Sequence, residues 1–173
     1  MSRGGRFAAA ASRRTRLAAS LLESPADAWL AFRMAGWRLV LPLLKRRLPL
    51  GRLVRLMWKG AGARPVTAVR EARIAELARV VYRSEHVTRP GNCLERSLVL
   101  YRYLSAAGAD PQLVVGIRSG EAAVRGHAWV TVRGEPIEEA PSSLEGLTRL
   151  VSFRGDGSQP RSRRVSEALS AAP

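Results

Sequence analysis

The chain has 173 residues, with 29 Lys and Arg against 14 Asp and Glu, a formal net charge of +15, one Cys and two His. That length fits one domain with appendages and excludes a multi-domain machine. A single Cys excludes a disulfide-stapled secreted scaffold, and one Cys with two His is too small a set for a four-ligand structural zinc. The hydrophobic fraction of 46% is enough for a modest core.

The charge is uneven: residues 1 to 60 hold 13 of the basic residues and only 2 of the acidic ones. Only Lys45 and Lys59 are lysines, so the remaining 27 basic residues are Arg. An Arg-rich coding bias accounts for part of this. The functional reading is a surface that meets something acidic: a peptide, a partner protein, anionic lipid or nucleic acid.

Residues 1–16 are Arg, Ala, Ser and Gly with almost no large apolar side chain, which predicts a disordered basic tail. A secretory signal would place its apolar stretch directly after the first charges and end in a small-residue cleavage site. Here the apolar stretch comes late and keeps its arginines, so a cytoplasmic protein is expected. Ser24, Pro25 and Asp27 then read as a helix start, with Ser24 as N-cap, Pro25 at the first helical position and Asp27 at the positive end of the dipole. The run that follows (Trp29, Leu30, Phe32, Met34, Trp37, Leu39 to Leu41, Leu43, Leu44) is apolar nearly all round. Arg33 and Arg38 in its middle, Gly36, Pro42 and the closing Lys45-Arg46-Arg47 argue against a membrane span, since each central Arg costs roughly 2.5 to 3.5 kcal/mol on insertion. A buried or partner-facing helix, kinked or ended near Pro42, is the preferred reading over one lying on a membrane surface.

A second basic apolar stretch runs over residues 48–58 and stops at Gly60-Ala61-Gly62. From Thr67 an amphipathic helix is expected, with Val69, Ile74, Leu77, Val80 and Val81 apolar, ending before Arg89-Pro90-Gly91. The next helix has both ends marked. Asn92 is a good N-cap, Glu95 stands three residues on, Leu94, Leu98, Tyr101 and Leu104 are spaced for one face, and Gly108 suits the C′ position. The periodicity then changes to that of short strands, over residues 113–117, 126–132 and 135–138, separated by Ser119-Gly120 and Arg133-Gly134, which predicts a small antiparallel meander. Residues 155–164 return to Gly, Ser, Pro and Arg and read as a flexible tail, with a short helical turn at 165–169.

The one cysteine, Cys93, falls on the first turn of that well-marked helix, where unpaired backbone N–H groups and the positive dipole end favour a thiolate. His127 opens a strand in which alternation places His127, Trp129 and Thr131 on one face and Ala128, Val130 and Val132 on the other. If the Cys93 helix packs on the first of these faces, the imidazole reaches the sulfur and the pair becomes a base-activated nucleophile. His86 reads as a surface residue near a helix end. Ser97, one turn after Cys93, is either a packing residue or a helix-bonding hydroxyl.

Taken as an ordered set, Cys93-Leu94-Glu95-Arg96-Ser97-Leu98, Gly116-Ile117 and His127-Ala128-Trp129-Val130 resemble the transglutaminase-like cysteine proteases of lasso-peptide biosynthesis. The resemblance covers residues 67–140 and is weaker before them. It implies an α+β, papain-like or transglutaminase-like fold in which N-terminal helices precede a nucleophile-bearing helix packed on a small antiparallel sheet. Cys93 would be the nucleophile and His127 the base. The third member in the family is an Asp about twelve residues after the His, where this chain carries Glu139. A glutamate is one methylene longer but can still orient an imidazole. A two-residue turn at Arg133-Gly134 would set Trp129 opposite Glu138 and put Glu138 on the His127 side, whereas a three-residue turn or a bulge would put Glu139 there. Family spacing favours Glu139.

The expected organisation is therefore a basic tail over 1–16, basic apolar helices for partner docking over 17–62, a protease core over 63–154 and a flexible tail over 155–173. The activity implied by the resemblance is removal of the leader from a ribosomally made lasso-peptide precursor, through a thioester and without a cofactor or metal. The family is commonly split, so a separate leader-recognition protein and an ATP-dependent lasso cyclase are the implied partners. Trp29, Trp37 and Trp58 are candidate anchors for docking. The rivals are an amidase or acyl transferase using the same site and a non-catalytic basic binding module. No nucleic-acid motif is present, and the charge lies in an apolar helix and a tail, not on an aromatic-studded face.

Overall fold

The structure is a computed structural model and describes residues 24–60, 65–83, 93–118 and 125–154. The expected tails, the Asn92 cap, His86 and the Ser119-Gly120 turn lie outside the described residues. Helix α1 spans Pro25–Arg47. The Ser24 hydroxyl accepts from the Asp27 N–H at 3.3 Å, Pro25 opens the first turn, and Lys45, Arg46 and Arg47 occupy the last. The helix runs through Pro42 instead of ending there. An interior proline costs about 3 kcal/mol, and here Leu41 and Leu44, on either side of it, are held on the core. Among the described residues no helix is long and apolar enough to cross a membrane.

Three charges of α1 are spent inside the molecule. Asp27 accepts from Arg73 Nε at 2.8 Å and lies 3.5 Å from Arg70 Nη1, both on α3 (Ala68–Arg83). Arg38 donates to the Val81 carbonyl of the same helix at 2.7 Å. Lys45 pairs at 2.5 Å with Glu95 on α4 (Cys93–Ala106). Between α1 and α3, the short α2 (Leu50–Met57) sends Leu53, Val54 and Met57 into the same core as Met34 and Leu41. On α3 the Thr67 hydroxyl accepts from the Arg70 N–H at 3.3 Å, and Ile74 and Leu77 are buried. Val69, read as part of that apolar stripe, is instead 81% exposed. It stands five residues before Ile74 and therefore on a different face of the helix.

Helix α4 is the centre of the molecule: Leu98, Val99, Tyr101 and Leu104 are fully buried. It ends as Gly108 indicates. With φ at +96°, Gly108 lets its own N–H reach the Ser105 carbonyl and the Ala109 N–H reach that of Leu104, the paired bonds of a Schellman cap.

Four antiparallel strands follow, β1 (Pro111–Arg118), β2 (Arg125–Val132), β3 (Glu135–Ile137) and β4 (Thr148–Phe153), in the order β3-β2-β1-β4. Between β3 and β4 lies the one-turn helix α5 (Pro141–Leu144). The fourth strand was not foreseen. Its first three residues are exposed and only Phe153 is fully buried, so it shows little alternation to read. The β2–β3 hairpin closes through a two-residue turn, with Val132 opposite Glu135 and positive φ at both Arg133 (53°) and Gly134 (85°), the signature of a type I′ turn. Leu113, Val130, Val132 and Phe153 join the helices in one core, so the helices cover one face of a mixed α+β fold. That face is the Val130 and Val132 face of β2, not the face of Trp129 and Thr131 that the sequence analysis considered for the Cys93 helix.

Candidate active site

Cys93 is the first residue of α4 and is half-buried. Its thiol is hydrogen-bonded to His127 and also meets the backbone at Ala128, so helix start and strand join at the residue next to the imidazole. This contact explains how His127 reaches the sulfur although the core packs on the other face of its strand. The register between helix and strand is fixed one turn further on, where the buried Ser97 hydroxyl donates to the Ala128 carbonyl at 2.9 Å. Ser97 is thus a pin between the element that carries the thiol and the element that carries the imidazole.

Two aromatic and backbone features hold His127. Its ring stacks on Trp129 with centroids 6.0 Å apart and planes 19° from parallel. Trp129 in turn needs Gly116: a Cβ at that position would stand 3.0 Å from the indole and 2.9 Å from the Thr148 carbonyl oxygen. Gly116 is also the cross-strand partner of His127, and the β1–β4 register shifts beside it, between Val115 and Gly116.

Nε2 of His127 faces Glu139 Oε1 at 3.4 Å, long for a hydrogen bond and without the alignment of one. The other ring nitrogen is left for the thiol. Arg96, three residues after Cys93 on α4, bonds the same Glu139 oxygen through Nη2. Ser143 on α5 reaches Oε2 at 3.1 Å while bonding the Ala140 carbonyl at 2.6 Å. Arg118 closes the far wall by donating to the carbonyls of Ser143 (3.0 Å) and Glu145 (2.6 Å). Arg118, Gly126, His127, Glu139, Ser143 and Leu147 line a pocket of about 240 Å³ there.

The electrostatics follow from these contacts. Burial pushes the Cys93 thiol up, but the His127 bond, the backbone bonds at Ala128 and Leu94 and the imidazolium charge outweigh it, and the thiol falls below its ordinary value. His127 is raised to about 9, first by its bond to Cys93 and then by Glu139. Burial likewise opposes ionisation of Glu139, and the facing His127 imidazole, the Arg96 charge and the Ser143 hydroxyl together bring it below the usual carboxylate range. Such a group of three favours a thiolate beside an imidazolium braced by a carboxylate.

The neighbouring Glu138 takes no part in it. The hairpin turn has two residues, the register that would bring Glu138 to the His127 side, yet Glu139 is the residue found there. The cause is Glu138 itself: its φ of +70° ends the ladder after Ile137 and redirects the chain before Glu139. A positive φ on a glutamate is strained, and it is held by two long-range pairs, Arg79 Nε with Glu138 Oε1 at 3.1 Å and Arg96 with Glu139. The Glu138 side chain is 2% exposed, its Oε2 is buried with no partner, and burial raises it to about 7. The sequence pattern flagged Arg96 without a role. Ser143 and Arg118 carried no signal of their own.

A helix bearing a cysteine at its first turn, beside a strand that carries a histidine and a loop that carries a carboxylate, is an arrangement suited to thiol-dependent acyl transfer. Residues 37–152, well over half of the chain, match the transglutaminase-like superfamily, and the chain belongs to it. Members of this superfamily are in general cysteine proteases or acyl transferases. The match begins inside α1, so the C-terminal half of α1 and all of α2 fall within the family's domain. No curated protein and no solved structure matches the chain.

Proposed function

We propose that this chain is a cysteine endopeptidase that removes the leader from a ribosomally made lasso-peptide precursor, with Cys93 as nucleophile, His127 as general base and acid, and Glu139 as the orienting carboxylate. The observation that carries the catalytic part is the joining of Cys93, His127 and Glu139 at one end of the helix–sheet contact, with the thiol lowered and the imidazole raised. The lasso-precursor part rests on the ordered motifs Cys93-Leu94-Glu95-Arg96-Ser97-Leu98 and His127-Ala128-Trp129-Val130.

In the first half-reaction the Cys93 thiolate adds to the scissile carbonyl carbon. The resulting oxyanion meets the N–H of Cys93, one of the unpaired donors of a helix's first turn. His127 gives its proton to the leaving amine, the C–N bond breaks, and a thioester to Cys93 remains. Neutral His127 then takes a proton from water, hydroxide adds to the thioester, and the thiolate leaves with the imidazolium restored. Glu139 keeps the ring in the productive tautomer throughout. A leader-recognition protein and an ATP-dependent lasso cyclase are the partners this reading calls for, acting before and after the cut.

The test is to incubate the chain with a lasso precursor and a leader-binding protein and to read products by mass. One defined cut that is lost on mixing in Cys93→Ala in place of the parent supports the proposal. Exclusive formation of an amide when excess amine is added, with no hydrolysis in its absence, would assign the site to acyl transfer instead.

A further inference from the structure

Helix α1 has a face that the core does not use. Pro25, Trp29, Phe32, Gly36, Leu39, Leu43 and Arg46 follow each other at steps of four, three, four, three, four and three residues, and every one of them is exposed. Trp29 is 60% exposed, Phe32 68%, Leu39 80% and Leu43 63%. An ordinary surface helix turns charged and polar side chains outward. This one turns out the seam of a coiled coil, in which positions at alternating three- and four-residue steps are apolar.

The flanks of the seam say what would cover it. On one side, at the positions that border a coiled-coil seam, stand Arg33, Val40 and Arg47, all exposed. On the other stand Ala28, Ala35 and Pro42, small or short side chains that allow close approach. Midway along the seam Gly36 is open, with nothing within 4 Å of where a Cβ would be, which leaves a notch between Phe32 and Leu39. Trp29 and Phe32 are already stacked on one another, centroids 5.6 Å apart, so the aromatic end of the seam is ordered before anything binds. Residues 24–60 contain one acidic residue, Asp27, and it is buried in its pairing with Arg73.

We propose that the outer face of α1, from Trp29 to Leu43, docks an amphipathic helix of another protein that carries an apolar seam of two heptads flanked by Asp or Glu opposite Arg33 and Arg47. The occupant is not a second copy of this chain, because pairing two α1 faces sets Arg33, Arg46 and Arg47 of both against one another with no acid to meet them. The flanking cations, Arg33 and Arg47, lie on one side only, Arg46 closes the end of the seam, and the notch at Gly36 suits a helix backbone. A helix lying in a bilayer surface has cations across its polar face, and the opposite face of α1 is the protein core. This inference stands apart from the peptidase reading.

The experiment uses the full chain and two labelled 21-residue helical peptides of our design, both with Leu at the seam positions, one with Glu and one with Lys at the flanks. Anisotropy titrations should show the Glu peptide binding about tenfold or more tightly than its Lys twin. Arg33→Glu combined with Arg47→Glu should invert that order, and Leu39→Ser should weaken the Glu peptide about tenfold. All these positions are exposed, so the variants should unfold at the parent's temperature and alkylate Cys93 at the parent's rate. Failure of the Glu peptide to bind, equal binding of both peptides, or indifference to Leu39→Ser would each overturn the proposal. It is also overturned if phosphatidylglycerol vesicles bind the parent more tightly than the peptide does and Leu39→Ser releases them, or if sedimentation shows a dimer that Leu39→Ser dissolves.

Discussion

Two adjacent glutamates face opposite surroundings in this molecule, and each belongs to a different cavity. Glu139 lies in the 240 Å³ pocket beside His127, where an imidazole, a guanidinium and a hydroxyl all meet its carboxylate. Glu138 is in the wall of a larger groove of about 680 Å³ between α3 and β3, where one arginine meets one oxygen and the other oxygen meets nothing. The larger cavity is the poorer candidate for chemistry. Its other charged residues are engaged in pairs of their own, Glu71 with Arg133 and Glu76 with Arg73. What marks the smaller pocket is that two of its lining residues, His127 and Glu139, and the neighbouring Cys93 shift one another's ionisation in the directions a nucleophile, a base and an orienting acid require.

The harshest way to break the comparison is to remove the candidate nucleophile and base at the small pocket's edge. Cys93→Ala should abolish turnover, and His127→Ala should cost at least about a thousandfold, since activation of the thiol and protonation of the leaving group are both lost. Cleavage by Cys93→Ala at even a tenth of the parent rate would show that the site lies elsewhere. The pH profile of Cys93 alkylation sharpens the point. The thiolate–imidazolium pair should persist from below the ordinary thiol range up to about pH 9, where His127 loses its proton.

Next in size is the direct exchange between the neighbours. Glu139→Gln should lower turnover about a hundredfold or more, because Gln keeps the shape but cannot stabilise the imidazolium. Glu138→Gln should leave turnover within about twofold, as a change remote from the reacting groups does. Parallel kcat measurements on both variants check this, and the reverse pattern would move the orienting role to Glu138.

For stability the order is inverted. Glu138 has a folded value of about 7, above its unfolded value of 4.5, so the fold prefers the protonated form. Its stability is whole below the unfolded value and is lost as pH rises through about 7. Glu138→Gln removes the charge and still offers Arg79 an acceptor. It should therefore stabilise the protein at pH 8, by about 3 kcal/mol at most, with no gain near pH 4. Denaturation midpoints at the two pH values decide this. Glu139→Gln should show no such gain, since its carboxylate is stabilised in the fold.

How far the site was legible in the sequence follows from the range of the interactions that build it. Cys93 and His127 stood out as candidates because a helix start with a marked C-cap and a strand with period-two alternation are local patterns. The position of the turn at Arg133-Gly134 was legible for the same reason, though its length was left open between two residues and three, and so were the α+β class and three of the strands. The side of β2 that meets α4 was not, because alternation defines two faces without saying which is covered. Nor was the turn of the chain at Glu138 legible. No local rule gives a glutamate a positive φ, and the pairs that hold it there come from Arg79 and Arg96, 59 and 43 residues away from the carboxylates they bind. Ser143 and Arg118 acquire their roles only when α5 folds back beside β1, a contact without a sequence signature.

The smallest expected effect tests whether the small pocket depends on how α4 is seated, not only on the groups it carries. Ser97 touches none of the reacting groups, yet its hydroxyl bonds the carbonyl of Ala128, the residue next to His127 and the one whose backbone the Cys93 thiol meets. Ser97→Ala leaves a buried carbonyl short of one donor, which should cost about 1 to 2 kcal/mol of stability. If the bond only adds stability, kcat at a temperature well below unfolding should stay at the parent value. If it also sets the distance between thiol and imidazole, kcat should fall about three- to tenfold, with KM unchanged and Cys93 alkylation at neutral pH slowed in step. Ser97→Thr, which keeps the hydroxyl, should restore both readouts provided the added methyl fits. Restoration of stability without restoration of kcat would assign Ser97 to packing alone.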